Sequence, residues 1–377
     1  MSGPYDLAVV GGGIHGATVA LFCARGGMRT VLLDRGSLFR EASGVNAGTL
    51  TMQMTRVALI PYALRAHAMW ASAAEWLGHD VGVVVCDGLS LAFTEREAEL
   101  LTYRAGRRRE AGAPIEIVSG ARAAAVEPAL SPDVLLAGYC PVDGFANAYL
   151  TGLAYLAALK EAGVEVREGC RVAGVEPTGY GYAVAAGGSA LQARRVVLAG
   201  GVWLEDMLAW FGLRVPIKVL VNQLAVTERL PPVMRTVVGI ASGLLSLKQY
   251  GHGAVVIGGG WQGRGDRERG GAEILPESLV GNVRLACHAV PALAKGRLAR
   301  AWAGLEAETA DALPIAGPIP GFADAYACGS VHSGYTSGPY IAKLLAERIL
   351  GREPALPLFP MDRLLGPVTP TREVQPA

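Results

Sequence analysis

A glycine-rich turn between an apolar run and a helix-like segment constrains the fold of this chain more than any other feature. Residues 11–16 read GGGIHG and match the pattern G-x-G-x-x-G. The apolar run 5–10 precedes this turn, as a buried parallel strand would, and small and apolar residues fill the segment 14–25, as in a helix packed on a sheet. A second apolar run, 30–33, ends at Asp34. The pattern therefore predicts a strand–helix–strand unit.

In such a unit the first glycine permits the tight turn, the second lets a pyrophosphate approach the backbone, and the third lets the helix pack on the sheet. A carboxylate at the end of the second strand accepts hydrogen bonds from a ribose. Arg35, which follows that acid, is interpreted either as a reader of a 2′-phosphate or as a solvated charge. The unit predicts dinucleotide binding but does not distinguish a nicotinamide cofactor from a flavin cofactor. The candidate contacts are Gly11, Gly13, Ile14, His15, Gly16, Asp34 and Arg35.

Composition excludes several classes of protein. With 377 residues, 51% hydrophobic and 18% charged, the chain can bury a sizeable core. Its net charge of +1, with scattered basic residues, does not provide the basic face that nucleic acid requires. Every apolar run is interrupted well before the roughly 20 residues of a membrane span, and the first strand pattern begins too early for a signal peptide. We expect a cytoplasmic protein with a small-molecule ligand.

The cysteines carry no pattern typical of a metal site or a disulfide framework. They lie far apart, without a C-x-x-C pair, so free thiols in a reducing cytoplasm are the expected state. A nucleophile elbow and an H-E-x-x-H motif are also absent from the sequence, which removes support for a hydrolase or a metalloenzyme. The six residues are Cys23, Cys86, Cys140, Cys170, Cys287 and Cys328.

The predicted fold class is α/β, with a discontinuous Rossmann-type cofactor domain and a second α+β substrate domain built on an antiparallel sheet. The strand and glycine-turn pattern returns near Val197 and again after Leu313, whereas alternating segments between them are typical of antiparallel strands. Helices are expected over 61–77, 147–162 and 339–350. The expected boundaries are 1–50, 140–214 and 300–377 for the cofactor domain, and 51–139 and 215–299 for the substrate domain.

Three further segments resemble one protein family: EASGVNAGT at 41–49, VLAGGVW at 197–203 and GYTSGP at 334–339. In these segments the chain resembles the D-amino-acid oxidase (DAO) superfamily, in particular its glycine oxidase, sarcosine oxidase and opine or hydroxyproline dehydrogenase branches. The resemblance implies FAD as the cofactor. A glycine turn that opens the last helix would also present N–H groups and a positive dipole to reduced flavin. The implied FAD contacts are Ser43, Asn46, Ala47, Gly48, Val172, Gly200, Trp203, Gly334, Tyr335, Thr336 and Ser337.

The segment 302–314 resembles the family motif W-A-G-L-R-P-x-T-x-D-G-x-P, with two departures. Gly304 stands where branches with covalent flavin have a cysteine, which implies non-covalent FAD. Glu306 replaces the arginine with which glycine oxidase holds the substrate carboxylate, and His332 aligns with a second family arginine. The carboxylate clamp is therefore missing or relocated. Basic residues that would replace it, unless they are solvated surface charges, are Lys248, Arg264 and Arg267.

The resemblance implies oxidation of an amine, in particular an N-substituted amino acid, by hydride transfer to flavin N5 and hydrolysis of the resulting imine. Glu306 and His332 are interpreted either as a general acid–base pair or as structural groups near the flavin. The alternatives are the catalytic member of a heteromeric opine, hydroxyproline or D-amino-acid dehydrogenase, a non-catalytic flavin-binding subunit, and a nicotinamide dehydrogenase. The substrate, the oxidant (oxygen or a carrier) and the presence of a second subunit stay open.

Overall fold

The computed structural model describes residues 3–332 and 334–365. Its strands form an eight-stranded sheet, a nine-stranded sheet and a two-stranded ribbon. In chain order they are β1 (Tyr5–Val10), β2 (Thr30–Leu33), β3 (Thr49–Leu50), β4 (Val84–Ala92), β5 (Glu116–Ser119), β6 (Leu136–Phe145), β7 (Glu165–Arg167), β8 (Val172–Thr178), β9 (Gly181–Ala186), β10 (Ser189–Leu198), β11 (Lys218–Thr227), β12 (Val237–Ile240), β13 (Ser246–Gln249), β14 (Val255–Gln262), β15 (Arg264–Asp266), β16 (Gly271–Glu273), β17 (Leu298–Glu308), β18 (Ile315–Pro318) and β19 (Ala325–Gly329).

The α-helices range from single turns to four turns. They are α1 (Ile14–Arg25), α2 (Ala42–Val45), α3 (Ile60–Ala71), α4 (Ala73–Leu77), α5 (Glu95–Glu110), α6 (Gly120–Val126), α7 (Ala148–Glu161), α8 (Leu204–Leu208), α9 (Pro276–Ala289) and α10 (Gly334–Ile349). Short 3-10 helices cover Val57–Leu59, Gly201–Trp203, Ala209–Phe211, Pro291–Lys295 and Met361–Leu364.

The eight-stranded sheet confirms the predicted α/β class. Its strands run in the order β18-β19-β10-β1-β2-β7, and β19, β10, β1, β2 and β7 are parallel. The antiparallel strands β8 and β9 extend it beside β10. Val10 at the end of β1 lies opposite Leu33 of β2 and Leu198 of β10, so three strands end at one edge. A ligand site is expected at this edge of a parallel sheet.

The nine-stranded sheet is largely antiparallel, with the order β17-β11-β14-β13-β12-β4-β6-β3 and β5 beside β6. Only the β12–β4 pair among its described strands is parallel. The long strands β11 and β17 pair over most of their length, and Asn222 lies opposite Gly304. This pairing brings side chains of both strands to one place.

The division of the chain into two domains stays a proposal. At three places a segment assigned to the proposed cofactor domain pairs in the nine-stranded sheet. β17 starts at 298 and β6 crosses residue 140, yet both belong to the nine-stranded sheet, as does the β3 pair at 49–50. An apolar, glycine-containing segment suits either sheet, and periodicity does not reveal its pairing partner. Residues 366–377 of the proposed cofactor domain lie outside the described residues.

Helices α1, α3, α7 and α10 pack together with one face of the eight-stranded sheet around a buried core. The predicted helix over 61–77 is interrupted at Ser72, which separates α3 from α4. The last helix begins at Gly334, five residues before the predicted Pro339, because a proline in the second turn costs a single backbone hydrogen bond. Over residues 3–332 and 334–365 there is no helix long and apolar enough to span a bilayer. The six cysteines are free thiols in the structure.

Candidate functional site

Two cavities adjoin at the edge where β1, β2 and β10 end. The first cavity follows the start of α1 and reaches α10, and its empty space is about 1320 Å³. The second cavity lies between α2, β11, β14 and β17 and measures about 1290 Å³, and each volume includes space open to solvent. Both cavities are lined by Ala42, Leu305, Glu306 and Tyr335. Two adjoining cavities of this kind suit a large cofactor beside a substrate.

The three motif glycines have different surroundings. Gly11 has φ +112°, and a Cβ there would lie 2.3 Å from the Ala199 carbonyl oxygen. A Cβ on Gly16 would lie 1.9 Å from the carbonyl oxygen of Gly11. Gly13 has φ −76°, and within 4 Å its Cβ would meet only Ser43 Oγ, at 3.1 Å. The fold itself therefore requires Gly11 and Gly16, whereas Gly13 borders the open space of the first cavity.

Asp34 lies at the end of β2 and lines the first cavity. Its carboxylate accepts the backbone N–H of Gly12 at 2.6 Å and that of Gly36 at 2.8 Å. Burial raises the pKa of Asp34 above its usual value, although these two hydrogen bonds act in the opposite direction. The carboxylate is thus fixed by the glycine turn on one side and faces the cavity on the other.

Arg35 also lines the first cavity, and two contacts hold its guanidinium. It lies 3.5 Å from the ring centroid of Trp203 and 2.8 Å from Glu41 Oε1. A stacked and ion-paired arginine is more ordered than a freely solvated one. Trp203 is fixed in turn, since its indole N–H donates to the Arg267 carbonyl oxygen at 2.9 Å.

Most of the remaining residues expected to contact the cofactor also lie along the first cavity. His15 is one of them: burial lowers the pKa of its imidazole to about 4, and its Nε2 has no hydrogen-bond partner within residues 3–332 and 334–365. Gly16 and Ser337 line neither cavity. The predicted residues that do line the first cavity, besides those above, are Ile14, His15, Ser43, Val172, Gly200, Gly334 and Tyr335.

Four residues expected along the cofactor line the second cavity instead of the first: Asn46, Ala47, Gly48 and Thr336. Asn46 braces this segment, because its Nδ2 donates to the Ser43 carbonyl oxygen at 2.7 Å and its Oδ1 accepts the Gly48 N–H at 2.7 Å. The hydroxyl of Thr336 donates to the Thr49 carbonyl oxygen at 3.2 Å. The segment after α2 thus forms the wall where the two cavities meet.

Glu306 and His332, both predicted as site residues, lie together at this junction. Glu306 Oε2 is 2.7 Å from His332 Nδ1 and also accepts a hydrogen bond from the Asn222 amide. Glu306 lines both cavities, and His332 lines the second. Burial acts to lower the pKa of His332, but the hydrogen bond and charge of Glu306 outweigh it, so that this pKa lies above its usual value. The pair is therefore suited to holding a proton next to the first cavity.

A second charged pair in the second cavity was not found from the sequence. Arg56 and Glu308 both line this cavity and form an ion pair, and the exposed Lys218 lies 3.7 Å from the same glutamate. Glu308 follows Glu306 by two residues along β17, so strand periodicity would place both on one face. Arg56 lies in an irregular segment before α3, where no pattern in the sequence predicts a direction for its side chain.

The three basic residues considered as replacement carboxylate clamps line neither cavity. Lys248 is completely buried, and its Nζ donates to the hydroxyls of Thr49 and Ser246. Burial lowers the pKa of Lys248 to about 7. Arg264 and Arg267 form ion pairs with acidic residues away from the second cavity. The described residues also contain no cluster of His, Cys, Asp and Glu that could hold a metal ion.

Comparison with known proteins identifies relatives of similar length. The family described as FAD dependent oxidoreductase, DAO, matches residues 6–348. A glycine oxidase of Geobacillus kaustophilus is 28% identical over 373 residues, which cover 96% of this chain and 97% of the relative. An opine oxidase subunit of Rhizobium meliloti is 30% identical over 367 residues, which cover 91% of this chain and 93% of the relative.

The fold is shared as well. The crystal structure of the Geobacillus kaustophilus glycine oxidase superposes with a TM-score of 0.85 at 25% identity and covers 97% of this chain and 98% of its own. These comparisons extend over both sheets and both cavities.

Proposed function

This chain belongs to the DAO family of FAD-dependent oxidoreductases, and on that premise we propose that it oxidises an N-substituted amino acid at the junction of its two cavities. The observation that supports this proposal is the hydrogen-bonded pair of Glu306 and His332, which lies where the cofactor cavity opens into the second cavity.

FAD fits the first cavity. The missing Cβ of Gly13 leaves the backbone open to a pyrophosphate, and the first turn of α1 offers N–H groups and a positive dipole end. Asp34 would hold the ribose, Val172 the adenine, and Tyr335 with the first turn of α10 the flavin end. FAD bound there would supply the acceptor for a hydride from the carbon next to the substrate nitrogen.

The protein's own groups then act on the amine. The Glu306–His332 pair would take the proton of the substrate ammonium, which leaves the nitrogen lone pair free to assist loss of the hydride. Water hydrolyses the resulting imine to an oxo acid and an amine. Because an N-substituent can contact the apolar lining of the second cavity, which free glycine cannot reach, we expect secondary amines with a larger N-substituent to be better substrates than glycine.

The proposed reaction is tested by mixing the protein with candidate amines without oxygen and following the flavin absorbance. N-alkyl glycines should bleach the flavin faster than glycine at equal concentration. Bleaching by none of the secondary amines, D-amino acids or opines would overturn the proposal and favour a non-catalytic flavin protein. Acid should release intact FAD from the polypeptide, because Gly304 provides no thiol and a Cβ there would lie 2.3 Å from Val45 Cγ2.

A second candidate is the catalytic subunit of a heteromeric opine oxidase or dehydrogenase. It is favoured by the 30% identity to the Rhizobium meliloti opine oxidase subunit, which extends over 93% of that relative. In that case the isolated chain would be reduced by opines but reoxidised slowly by oxygen, and a second chain would copurify from the native host. Rapid reoxidation by oxygen of the isolated chain would exclude the need for a partner.

A further inference from the structure

Building on the function proposed above, we propose that Arg56 receives the carboxylate of the substrate and so selects amino acids over plain amines. Arg56 takes the place of the missing clamp from a different element: it precedes α3, whereas Glu306 lies on β17. Its side chain lines the second cavity together with Glu306 and His332.

The charges of the second cavity favour this assignment. Its wall contains the carboxylates of Glu306 and Glu308, the imidazole of His332 and the guanidinium of Arg56. Glu306 is engaged by His332 and Asn222, so the amine end of a substrate is directed to that side. Of the lysines and arginines in the described part of the chain, Arg56 alone lines this cavity, and a substrate carboxylate therefore has its cationic partner there.

The ion pair of Arg56 with Glu308 leaves capacity for a further anion. Glu308 is shared with Lys218, so the three side chains together carry one net positive charge. A guanidinium has five N–H donors and accommodates two carboxylates side by side. The side chain of Arg56 is 28% exposed, which leaves part of it accessible from the cavity.

The segment that carries Arg56 is held in place from both sides. Thr51 Oγ1 and the Met52 N–H donate to the buried Asp143 carboxylate at 2.7 and 2.8 Å. Arg108 Nε donates to the Thr55 carbonyl oxygen at 2.8 Å. A pre-organised guanidinium loses little entropy when it binds an anion, which favours a selective contact.

This placement defines a substrate class. The nitrogen faces the Glu306–His332 pair, the α-carboxylate binds Arg56, and an N-substituent has space against the apolar part of the second cavity. That part is formed by Met54, Leu220, Leu224 and Leu245. The substrate is thus a secondary α-amino acid with one free carboxylate and an apolar or uncharged arm on nitrogen.

The test uses the FAD-loaded protein and two isosteric probes, propionate and propionamide, with binding followed through the perturbed flavin spectrum. The wild type should bind propionate in a saturable manner and much more tightly than propionamide. Arg56→Gln should raise the dissociation constant for propionate about 30-fold, as expected for loss of one partly buried charged contact, and should leave that for propionamide unchanged. Because no turnover is needed, these results are separable from failure of the proposed reaction.

Two further variants separate a direct contact from a structural role. Glu308→Gln should tighten propionate binding, since it removes a negative charge that repels a second carboxylate beside Arg56. Lys218→Gln removes the other positive charge that pairs with Glu308. Because the side chain of Lys218 is 68% exposed, this variant should change the dissociation constant for propionate by less than about threefold. Wild-type affinity in Arg56→Gln, equal weakening by Lys218→Gln, or no saturable change with the wild type would each overturn the proposal.

Discussion

Gly13 differs from the other motif glycines because a Cβ at this position would meet no backbone atom within 4 Å. Its φ of −76° suits any L-residue, and the nearest atom to a Cβ would be Ser43 Oγ at 3.1 Å. Gly13→Val should therefore fold but fill the space in which the pyrophosphate would lie. We expect a protein with native far-UV circular dichroism that has lost most of its FAD, since overpacking at a binding surface costs about 1–3 kcal/mol or more.

Gly16→Ala provides the contrast. Its Cβ would lie 1.9 Å from the Gly11 carbonyl oxygen, so this variant should lose thermal stability as well as flavin. Full flavin occupancy in Gly13→Val would show that the cofactor does not approach the turn.

The Glu306–His332 pair predicts a measurable shift in pH dependence. Glu306 raises the pKa of His332 by stabilising the imidazolium, with a smaller contribution of the same sign from Glu308 and an opposing one from Arg56. If neutral His332 accepts the amine proton, flavin reduction rises with pH through this pKa. Glu306→Gln removes the stabilising charge, so burial then lowers the pKa and the rising limb should move to lower pH.

The measurement is the rate of anaerobic flavin reduction across pH for the wild type and for Glu306→Gln with the same secondary amine. Glu308→Gln should move the limb in the same direction by a smaller amount. A limb that stays in place in Glu306→Gln would show that His332 is not the titrating group.

The sequence predicts cavity-lining residues where position along an element determines direction. Asp34 follows from the end of a strand, Glu306 from the family motif, and His332 from alignment with a second family arginine, and all three line the cavities. Arg56 was missed because an irregular segment has no period, and its side chain pairs with Glu308, a residue about 250 positions away in sequence. The sequence suggests Lys248 as a cavity residue because lysine is charged. Its burial depends on how strands distant in sequence pack around β13, and a local pattern does not reveal this.

At the scale of elements, the segment between β3 and α3 depends on a buried carboxylate. Asp143 accepts two hydrogen bonds from this segment, and burial raises its pKa to about 6. Thr51 Oγ1 and the Met52 N–H occupy different carboxylate oxygens, so Asp143→Asn replaces one charged acceptor by an N–H₂ group and forces the Thr51 hydroxyl to reverse from donor to acceptor. We expect a loss of about 1–3 kcal/mol in unfolding free energy and faster hydrogen exchange over 51–56, with FAD content retained.

Thr51→Ser is the matched control, since it keeps the hydroxyl that donates to Asp143 and accepts from the Gln53 N–H, and should give a smaller loss and less exchange. Unchanged exchange over 51–56 in Asp143→Asn would mean that the fold around α3, not this carboxylate, positions the segment.

Elements themselves were predictable where local chemistry is strong. The helix α7 was expected over 147–162 and is observed at Ala148–Glu161, because Asn147 caps it through hydrogen bonds to the N–H groups of Tyr149 and Leu150 at 3.0 and 3.1 Å. The start of α10 was misplaced because Pro339 is a common first-turn residue and lies here in the second turn. Strand pairing of β17 with β11 depends on contacts distant in sequence, which a local pattern does not contain.

At the scale of the whole molecule, the nine-stranded sheet buries an ammonium group without a carboxylate partner in the described residues. Lys248 lies in β13, surrounded by the strands of the nine-stranded sheet, and within the described part of the chain its protons are accepted only by the hydroxyls of Thr49 and Ser246. These two hydroxyls are 2.9 Å apart and can pair with each other if the amine is removed. The buried cation therefore costs stability that its hydrogen bonds only partly restore.

Lys248→Met should accordingly stabilise the protein, and the gain should depend on pH. Burial lowers the pKa of Lys248 from 10.5 to about 7, so between these values the unfolded chain binds more protons and wild-type stability rises with pH. The methionine variant lacks this term: its advantage should be full below pH 7, on the order of 1–4 kcal/mol by analogy with replaced buried charges, and should shrink towards pH 10. Denaturant unfolding of both proteins near pH 7 and near pH 10 measures the difference, with the exposed Lys218→Met as control. If the advantage is equal at both pH values, or if Lys248→Met is less stable than the wild type at pH 7, burial does not lower the pKa of Lys248 in the folded state.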